Sequence, residues 1–155
     1  MSGIAELIRQ EVYSICQKYF QKTGNDDWAH TDKVTNYALK LAEMYNADKE
    51  IVELGALLHD ISDASEYGDT RDHHIYSAEI AESLLSALNY PIDRIEMVKK
   101  CVLNHRGSKP NPKNTVEEEC VADADALTHF DSIPSMFHFV YVTLNLSKED
   151  GKEHL

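Results

Sequence analysis

The sequence predicts an all-α fold, a compact bundle of about six to seven helices. Apolar residues recur every three or four positions along most of the chain, which is the spacing of amphipathic helices. No useful stretch alternates polar and apolar residues as a half-buried strand would, and the chain has no internal repeat. Its 155 residues suit one hydrophobic core, so we expect a single domain over residues 1–155.

Composition and charge narrow the class of protein. A formal net charge of -12 disfavours a nucleic-acid polymer or an anionic membrane surface as partner. No apolar run reaches the roughly 18 residues of a membrane span, and the N-terminus lacks a signal-peptide layout. Cys16, Cys101 and Cys120 lie far apart in apolar segments and are predicted to be packed thiols. We therefore expect a cytoplasmic protein.

The first three helices follow from apolar spacing. The first covers residues 4–20 and ends near Gly24, and the second covers residues 28–45 with His30 on its apolar side. The third runs over residues 48–60, with Asp48 as a candidate N-cap. Almost every residue between 51 and 58 is apolar, so this helix is predicted to be deeply buried.

The second half of the chain contains a predicted loop and four further helices. Residues 61–74 have no apolar period and predict the loop, and a fourth helix follows it as far as Tyr90-Pro91. A fifth helix runs to His105, and residues 107–114 form a turn-rich connector. Thr115 and Glu118 form a capping box for a sixth helix, and a last helix begins near residues 132–134. The apolar stripes of the first, sixth and last helices include Leu7, Phe20, Leu127, Met136, Phe137, Phe139 and Leu144.

Several ionisable side chains fall on apolar helix faces. His59 and Asp60 end the buried third helix, where an unpaired charge would cost several kcal/mol. His30, His105 and Asp125 lie on the apolar faces of other helices. Each alone is more often a hydrogen-bonded core residue than a ligand. Together, imidazole and carboxylate groups without thiolates are the ligands of a divalent metal that serves in hydrolysis.

Three sequence motifs carry a family resemblance. They are Trp28-Ala29-His30 with Lys33-Val34 one turn later, Leu54-Gly55-Ala56-Leu57-Leu58-His59-Asp60, and Ala122-Asp123-Ala124-Asp125-Ala126-Leu127. In this order, at these helix positions, they resemble the HD-domain metal-dependent phosphohydrolase superfamily. The resemblance covers about residues 28–131 and implies the HD-domain fold for that core.

The resemblance implies that His30, His59, Asp60 and Asp125 hold one divalent metal ion, which could be Mn, Fe, Co, Ni, Zn or Mg. Asp123 is the rival of Asp125, because residues two apart on a helix point about 200° apart and only one of them can face the site. The Ala-Asp-x-Leu pattern of the family selects Asp125. Asp63 matches a family position that orients or deprotonates the attacking water, and its alternative is a solvent-exposed loop residue.

Further histidines and cations leave alternatives open. In some members of the superfamily, histidines after the His-Asp pair hold a second ion. Here His73 or His74 could do so together with His105 and a shared Asp60. We favour instead a phosphate or leaving-group role for these histidines, with His105 as a catalytic residue. Candidate phosphate-binding cations are Lys33, Arg71 and Arg106, although surface cations are common.

The expected function is hydrolysis of a phosphomonoester or phosphoanhydride of a small phosphorylated metabolite by a metal-activated water. Nucleotides are among the candidate substrates. Two alternatives stay open, a two-metal phosphodiesterase and a regulatory module in which the metal only staples the helices. The oligomeric state is open, with a homodimer among the options.

Overall fold

A computed structural model describes residues 3–106, 112–131 and 133–152. These residues form helices and connecting turns without a strand, which confirms the all-α fold. Two single turns accompany the helices, a 3₁₀ turn at Thr70–Asp72 and a π turn at Phe139–Thr143. The helices are α1 Gly3–Thr23, α2 Asp27–Tyr45, α3 Lys49–Leu58, α4 Ile61–Ala64, α5 His73–Ala87, α6 Ile92–Asn104, α7 Val116–Asp131, α8 Ile133–His138 and α9 Lys148–Lys152.

Helix α3 is the centre of the bundle. Residues 51–58 are all buried, and α3 contacts α1, α2, α5, α6 and α7. Helices α2 and α7 pack along each other, as do α5 and α6. Because residues 51–58 are buried on every side of α3 and nearly all of them are apolar, the helix is stable only inside this ring of helices. Its carboxyl end, with His59 and Asp60, therefore emerges in the interior of the protein.

The start of α3 is fixed by capping and by an ion-pair network. The Asp48 carboxylate accepts hydrogen bonds from the backbone N–H groups of Glu50 and Ile51, as its predicted capping role requires. Arg94 of α6 donates to Asp48 at 2.9 Å and to Glu50 at 2.9 Å. The hydrogen bond from Arg94 lowers the pKa of Asp48. Helices α3 and α6 are thus held in register at the end opposite His59.

The predicted loop over residues 61–74 is wrong in part. Helix α4 follows Asp60 directly, the 3₁₀ turn covers Thr70–Asp72, and α5 begins at His73. The Asp69 side chain accepts a hydrogen bond from the backbone N–H of Arg71 and caps the 3₁₀ turn. Short turns that are closed by such local bonds leave no apolar period, so periodicity cannot reveal them.

Some residues predicted to be buried are exposed. Helices α1, α7 and α8 are amphipathic, but their outermost apolar residues extend past the contact with neighbouring helices. The exposed residues on these helices are Leu7, Phe20, Leu127 and Phe137, and Leu144, which follows the π turn, is exposed as well. The last predicted helix is split into α8 and the π turn, and its predicted start at Ser132 lies outside the described residues, as do the side chains of Met136 and Phe139.

The cysteine prediction is confirmed, since Cys16, Cys101 and Cys120 are free and buried. Burial raises the pKa of the Cys16 and Cys120 thiols to about 11. Most of the predicted connector at residues 107–114 lies outside the described residues. Within the described parts of the chain, no helix is long and apolar enough to cross a membrane.

Substitution of Gly55 by Ala tests the packing of α3. A Cβ at Gly55 would lie 2.7 Å from the Cβ of Cys101 and 3.3 Å from Cγ2 of Val121. The Cys101 Cβ is tied to its backbone and cannot rotate away. We expect Gly55→Ala to lower the free energy of unfolding by about 1–2 kcal/mol, after the gain in helix propensity, in a urea titration. Gly3→Ala is the control, because a Cβ there meets nothing within 4 Å, and equal stability of the two variants would contradict this packing.

Candidate metal centre

Four side chains that the sequence nominated as metal ligands converge at the end of α3. His30 comes from the first turn of α2, His59 and Asp60 from the α3–α4 junction, and Asp125 from α7. The Nε2 atom of His30 lies 3.2 Å from His59 Nε2 and 3.2 Å from Asp125 Oδ1. His59 Nε2 lies 3.1 Å from Asp60 Oδ2. The packing of α2 against α7 brings His30 and Asp125 close to His59 and Asp60.

Backbone carbonyls and one hydroxyl fix the orientation of the imidazoles. His59 Nδ1 lies 2.7 Å from the carbonyl of Ala56, and because a carbonyl only accepts, Nδ1 must donate. The Nδ1 of His30 lies 3.5 Å from Thr128 Oγ1, and this hydroxyl donates its own proton to the carbonyl of Asp125. In both rings Nδ1 carries a proton, so Nε2 is the nitrogen that points into the cluster and could bind a cation.

This arrangement fits a divalent metal ion. The two Nε2 atoms face each other at 3.2 Å, a separation that either a shared proton or a metal ion between the rings can satisfy. Ligand atoms that each lie about 2.1 Å from one ion are about 3 Å apart at right angles, and the measured separations are close to this value. His30, His59 and Asp60 together form a group with metal-binding geometry.

A second cluster shares Asp60. Its other oxygen, Oδ1, lies 3.2 Å from His73 Nε2 and 3.4 Å from His105 Nε2, and the two Nε2 atoms are 3.3 Å apart. The Nδ1 atoms of His73 and His105 donate to the carbonyls of Thr70 and Val102. Asp60 Oδ1 is a buried oxygen without a hydrogen-bond donor among the described residues. A second cation fits the space between these three side chains.

The electric field of the site favours positive charge. Burial alone would raise the pKa of Asp60, but the imidazoles of His59, His105 and His73 hold it well below its usual range. Burial opposes a charged His59, yet the adjacent Asp60 outweighs it and raises the pKa of His59 to about 9. The pKa of Asp125 is also lowered, against its burial, by His30 and His59. Both carboxylates are therefore ionised and available as ligands at neutral pH.

A small pocket lies beside the first cluster. It has a volume of about 110 Å³ and is lined by Asp27, His30, Thr31, Asp60 and Asp63. Burial, reinforced by the charge of Asp60, raises the pKa of Asp63, and an interaction with the side chain of Thr70 opposes this rise. Burial and the charges of Asp63 and Asp60 raise the pKa of Asp27. The predicted catalytic residue Asp63 thus faces the same space as the metal ligands.

The residues predicted from the sequence to bind phosphate lie outside the first cluster and its pocket. Lys33 is exposed on α2 and is not among the residues that line the pocket. Arg71 is held by Asp69, and the Arg106 guanidinium donates to the carbonyl of Arg71 at 2.7 Å. Of the two adjacent histidines, His73 faces the second cluster, whereas His74 is buried and belongs to neither cluster.

On α7, the two rival aspartates are separated as helix geometry requires. Asp125 faces the first cluster, and Asp123 is exposed. His129, one turn beyond Asp125, has its Nε2 atom 3.7 Å from Asp125 Oδ1 and a side chain that is 54% exposed.

Sequence reasoning missed two residues of this site. Thr128 is buried and joins His30 to the backbone of α7, and Asp27 lines the pocket. Thr128 lies three residues after Asp125, on the same side of α7, and this spacing is the signal that points to it. No comparable signal marks Asp27, which lies in a polar run of asparagine and aspartate.

Comparisons with known proteins give a consistent result. The family model described as HD domain matches residues 27–129. An uncharacterized protein of Clostridium beijerinckii is 35% identical over 71 residues, which cover 46% of this chain and 45% of the relative. The uncharacterized protein YpgQ of Bacillus subtilis is 29% identical over 126 residues, which cover 79% of this chain and 58% of YpgQ. The chain spans about half the length of the curated relatives it matches.

A solved structure extends the similarity to most of the fold. The crystal structure of a predicted HD superfamily hydrolase from an uncultured Thermotogales bacterium superposes with a TM-score of 0.66 at 25% sequence identity. The superposition covers 94% of this chain and 81% of that chain.

Substitution of Thr128 by Val tests the orientation of His30. Valine keeps the shape of the side chain but removes the oxygen that accepts from His30 Nδ1. We expect roughly tenfold weaker binding of Mn²⁺ in calorimetry, because loss of such a supporting hydrogen bond typically weakens metal affinity 10- to 100-fold. Thr23→Val is the matched control, since the Thr23 hydroxyl also bonds a backbone carbonyl but lies on α1. Unchanged affinity in Thr128→Val would contradict the role assigned to this hydroxyl.

Metal stoichiometry tests the two clusters directly. We expect two divalent ions per chain at saturation, because Asp60 presents one oxygen to each cluster. His105→Ala should reduce this number to one, and His138→Ala, an exposed histidine on α8, should leave it at two. Elemental analysis after dialysis gives the count. A single ion in the unmodified protein would show that the second cluster does not bind metal.

Proposed function

Because this chain belongs to the HD domain family of metal-dependent hydrolases, we propose that it hydrolyses a phosphate ester or anhydride of a small phosphorylated metabolite at a two-metal centre. Nucleotides fall within this substrate class. The observation that carries the proposal is the pair of ligand clusters that share Asp60, whose two oxygens face different sets of imidazoles. The sequence alone favoured one ion, and this geometry favours two.

The donor set suits hydrolytic chemistry. Divalent ions held by these imidazoles and carboxylates would act as Lewis acids that polarise a phosphoryl group and make a water more acidic. The protein supplies fixed ligands, since each of the four histidines has its Nδ1 tied to an acceptor. A rigid set of ligands needs little reorganisation when the substrate binds.

Asp63 is the proposed general base. It lines the pocket together with His30 and Asp60, so an attacking water in this pocket lies within its reach. The raised pKa of Asp63 brings the carboxylate closer to neutral pH, where a base accepts a proton more readily. Asp63 would take one proton from the water as the water oxygen bonds to phosphorus.

His73 and His105 are proposed as ligands of the second ion rather than as phosphate donors. Their Nδ1 atoms are engaged with backbone carbonyls, so Nε2 is the nitrogen of each ring that faces the centre. In the neutral ring this Nε2 carries a lone pair, which binds a cation and not a phosphate oxygen. The charge of the phosphate would then rest mainly on the two ions, and phosphate-binding roles for Lys33, Arg71, Arg106 and His74 stay predictions.

A metal that only staples the helices is the second candidate, but the pocket argues against it. A structural metal site is closed, whereas a catalytic site keeps an open position beside the ions. Here the ligands His30 and Asp60 form part of the pocket wall, and Asp63 completes that wall without belonging to either cluster. The cytoplasmic location, the small phosphorylated partner and a homodimer stay predictions.

Three substitutions test the proposal with p-nitrophenyl phosphate and bis(p-nitrophenyl) phosphate. His59→Ala and Asp125→Ala should abolish Mn²⁺-dependent hydrolysis, because each removes a ligand. Asp63→Asn should lower kcat by roughly 10²- to 10⁴-fold, the usual contribution of a general base, while two ions still bind.

Asp123→Asn is the control, because this exposed aspartate of α7 touches neither cluster and should leave kcat unchanged. Addition of a chelator should abolish hydrolysis, and fresh Mn²⁺ should restore it. Hydrolysis that persists in His59→Ala and in chelator would rule out a metal-dependent hydrolase at this site.

A further inference from the structure

We propose that Asp27 is a second catalytic carboxylate, which accepts a hydrogen bond from the attacking water and orients it together with Asp63. This inference rests on the proposed function, because it assigns a role within the same reaction. It goes beyond that function by naming a residue outside both metal clusters and by giving each proton of the water a partner.

The position of Asp27 supports the inference. It is the first residue of α2, one turn before the ligand His30, and it lines the pocket with Asp63. Its neighbour Asp26 caps the helix, since the Asp26 side chain accepts a hydrogen bond from the backbone N–H of Ala29 at 3.1 Å. The helix therefore has its capping carboxylate already, and that of Asp27 is not needed for this purpose.

The Asp27 carboxylate also lies free of hydrogen bonds within the part of the chain that the structure describes. Among the residues that the structure describes, none forms a hydrogen bond or an ion pair with it, although the residue is half-buried. A half-buried carboxylate without such a partner needs donors from solvent or ligand. The pocket beside it, at about 110 Å³, has room for about three or four water molecules at roughly 30 Å³ each.

Two carboxylates, those of Asp27 and Asp63, can together orient the attacking water. A water molecule has two protons, and if both are donated to carboxylates, its lone pairs must point away from them. Asp63 and Asp27 line one pocket with His30 and Asp60, so a water that donates to both carboxylates could direct its lone pairs towards the candidate metal ligands and a phosphoryl group bound there. This is the direction that attack on phosphorus requires.

The proton balance is simple. The water oxygen forms a bond to phosphorus, the ester bond breaks, and its electron pair leaves with the alcohol oxygen. Asp63 receives one proton and passes it to solvent, and solvent returns a proton to the departing oxygen. The second proton stays on the transferred oxygen with its hydrogen bond to Asp27, and it leaves with the phosphate product.

The test compares Asp27→Ala with Asp27→Asn in the full chain loaded with Mn²⁺. Alanine removes the acceptor, and we expect kcat for p-nitrophenyl phosphate to fall by roughly 10- to 100-fold, the value of a hydrogen bond to a charged group. Asparagine keeps an acceptor oxygen and should restore kcat to within a few fold of the unmodified protein. KM should change by less than about twofold in both variants, because Asp27 contacts the water and not the phosphate.

Metal binding and stability separate this role from a structural one. Calorimetry should give the same number of ions and the same affinity in Asp27→Ala as in the unmodified protein, and a thermal melt should show an intact fold. Asp123→Ala removes one exposed charge elsewhere and serves as the control, with an unchanged kcat.

The inference is overturned if Asp27→Ala keeps full kcat, or if it loses activity only through weaker metal binding or a higher KM. Equal losses in the alanine and asparagine variants would also overturn it, since an acceptor oxygen would then not be sufficient. Failure of the proposed function is distinct, because the unmodified protein would then lack chelator-sensitive hydrolysis altogether.

Discussion

The rest of the structure depends on one carboxylate, that of Asp60, which lies among four imidazoles. Its Oδ2 atom faces His59 and His30, and its Oδ1 atom faces His73 and His105. An ionised group in such a place costs several kcal/mol unless it is matched by positive charge and fixed geometry. The fold meets this demand by bringing one histidine from each of four separate segments to the end of α3.

Stability and function are divided between the two ends of α3. Its residues 51–58 are wholly buried, and Gly55 allows the close approach of Cys101 on α6. The same burial forces His59 to be inaccessible to water, so its charge state is set by neighbouring groups and not by solvent. Metal ions that bind only the folded protein would stabilise it by mass action. Their binding would therefore offset the cost of burying His59 and Asp60 at the carboxyl end of α3.

The sequence predicts the candidate metal ligands of the first cluster better than the residues that surround them. His30, His59, Asp60 and Asp125 stand out because an ionisable residue interrupts an apolar face, and burial makes such interruptions informative. Thr128 acts through a contact between α2 and α7 that no local pattern records, and Asp27 lies in a polar run that is typical of an ordinary helix start. The short helix α4 and the 3₁₀ turn were missed because each is a single turn, α4 closed by backbone hydrogen bonds and the 3₁₀ turn capped by the Asp69 side chain, and neither is long enough to show apolar spacing.

The segment from Asp60 to His73 links binding and chemistry in one short piece of chain. It contains Asp60, the proposed shared ligand, the proposed base Asp63, and His73, a proposed ligand of the second ion. The Thr70 side chain interacts with Asp63, and the Thr70 carbonyl accepts a hydrogen bond from His73 Nδ1, so a single residue contacts both the base and the second cluster. The hydrogen bond from Arg106 to the Arg71 carbonyl ties this segment to the residue after His105. A change in the backbone at residues 70–72 would therefore shift the base and the second cluster together. The segment has no apolar periodicity, but the hydrogen bonds of the Thr70 and Arg71 carbonyls hold its carboxyl-terminal part.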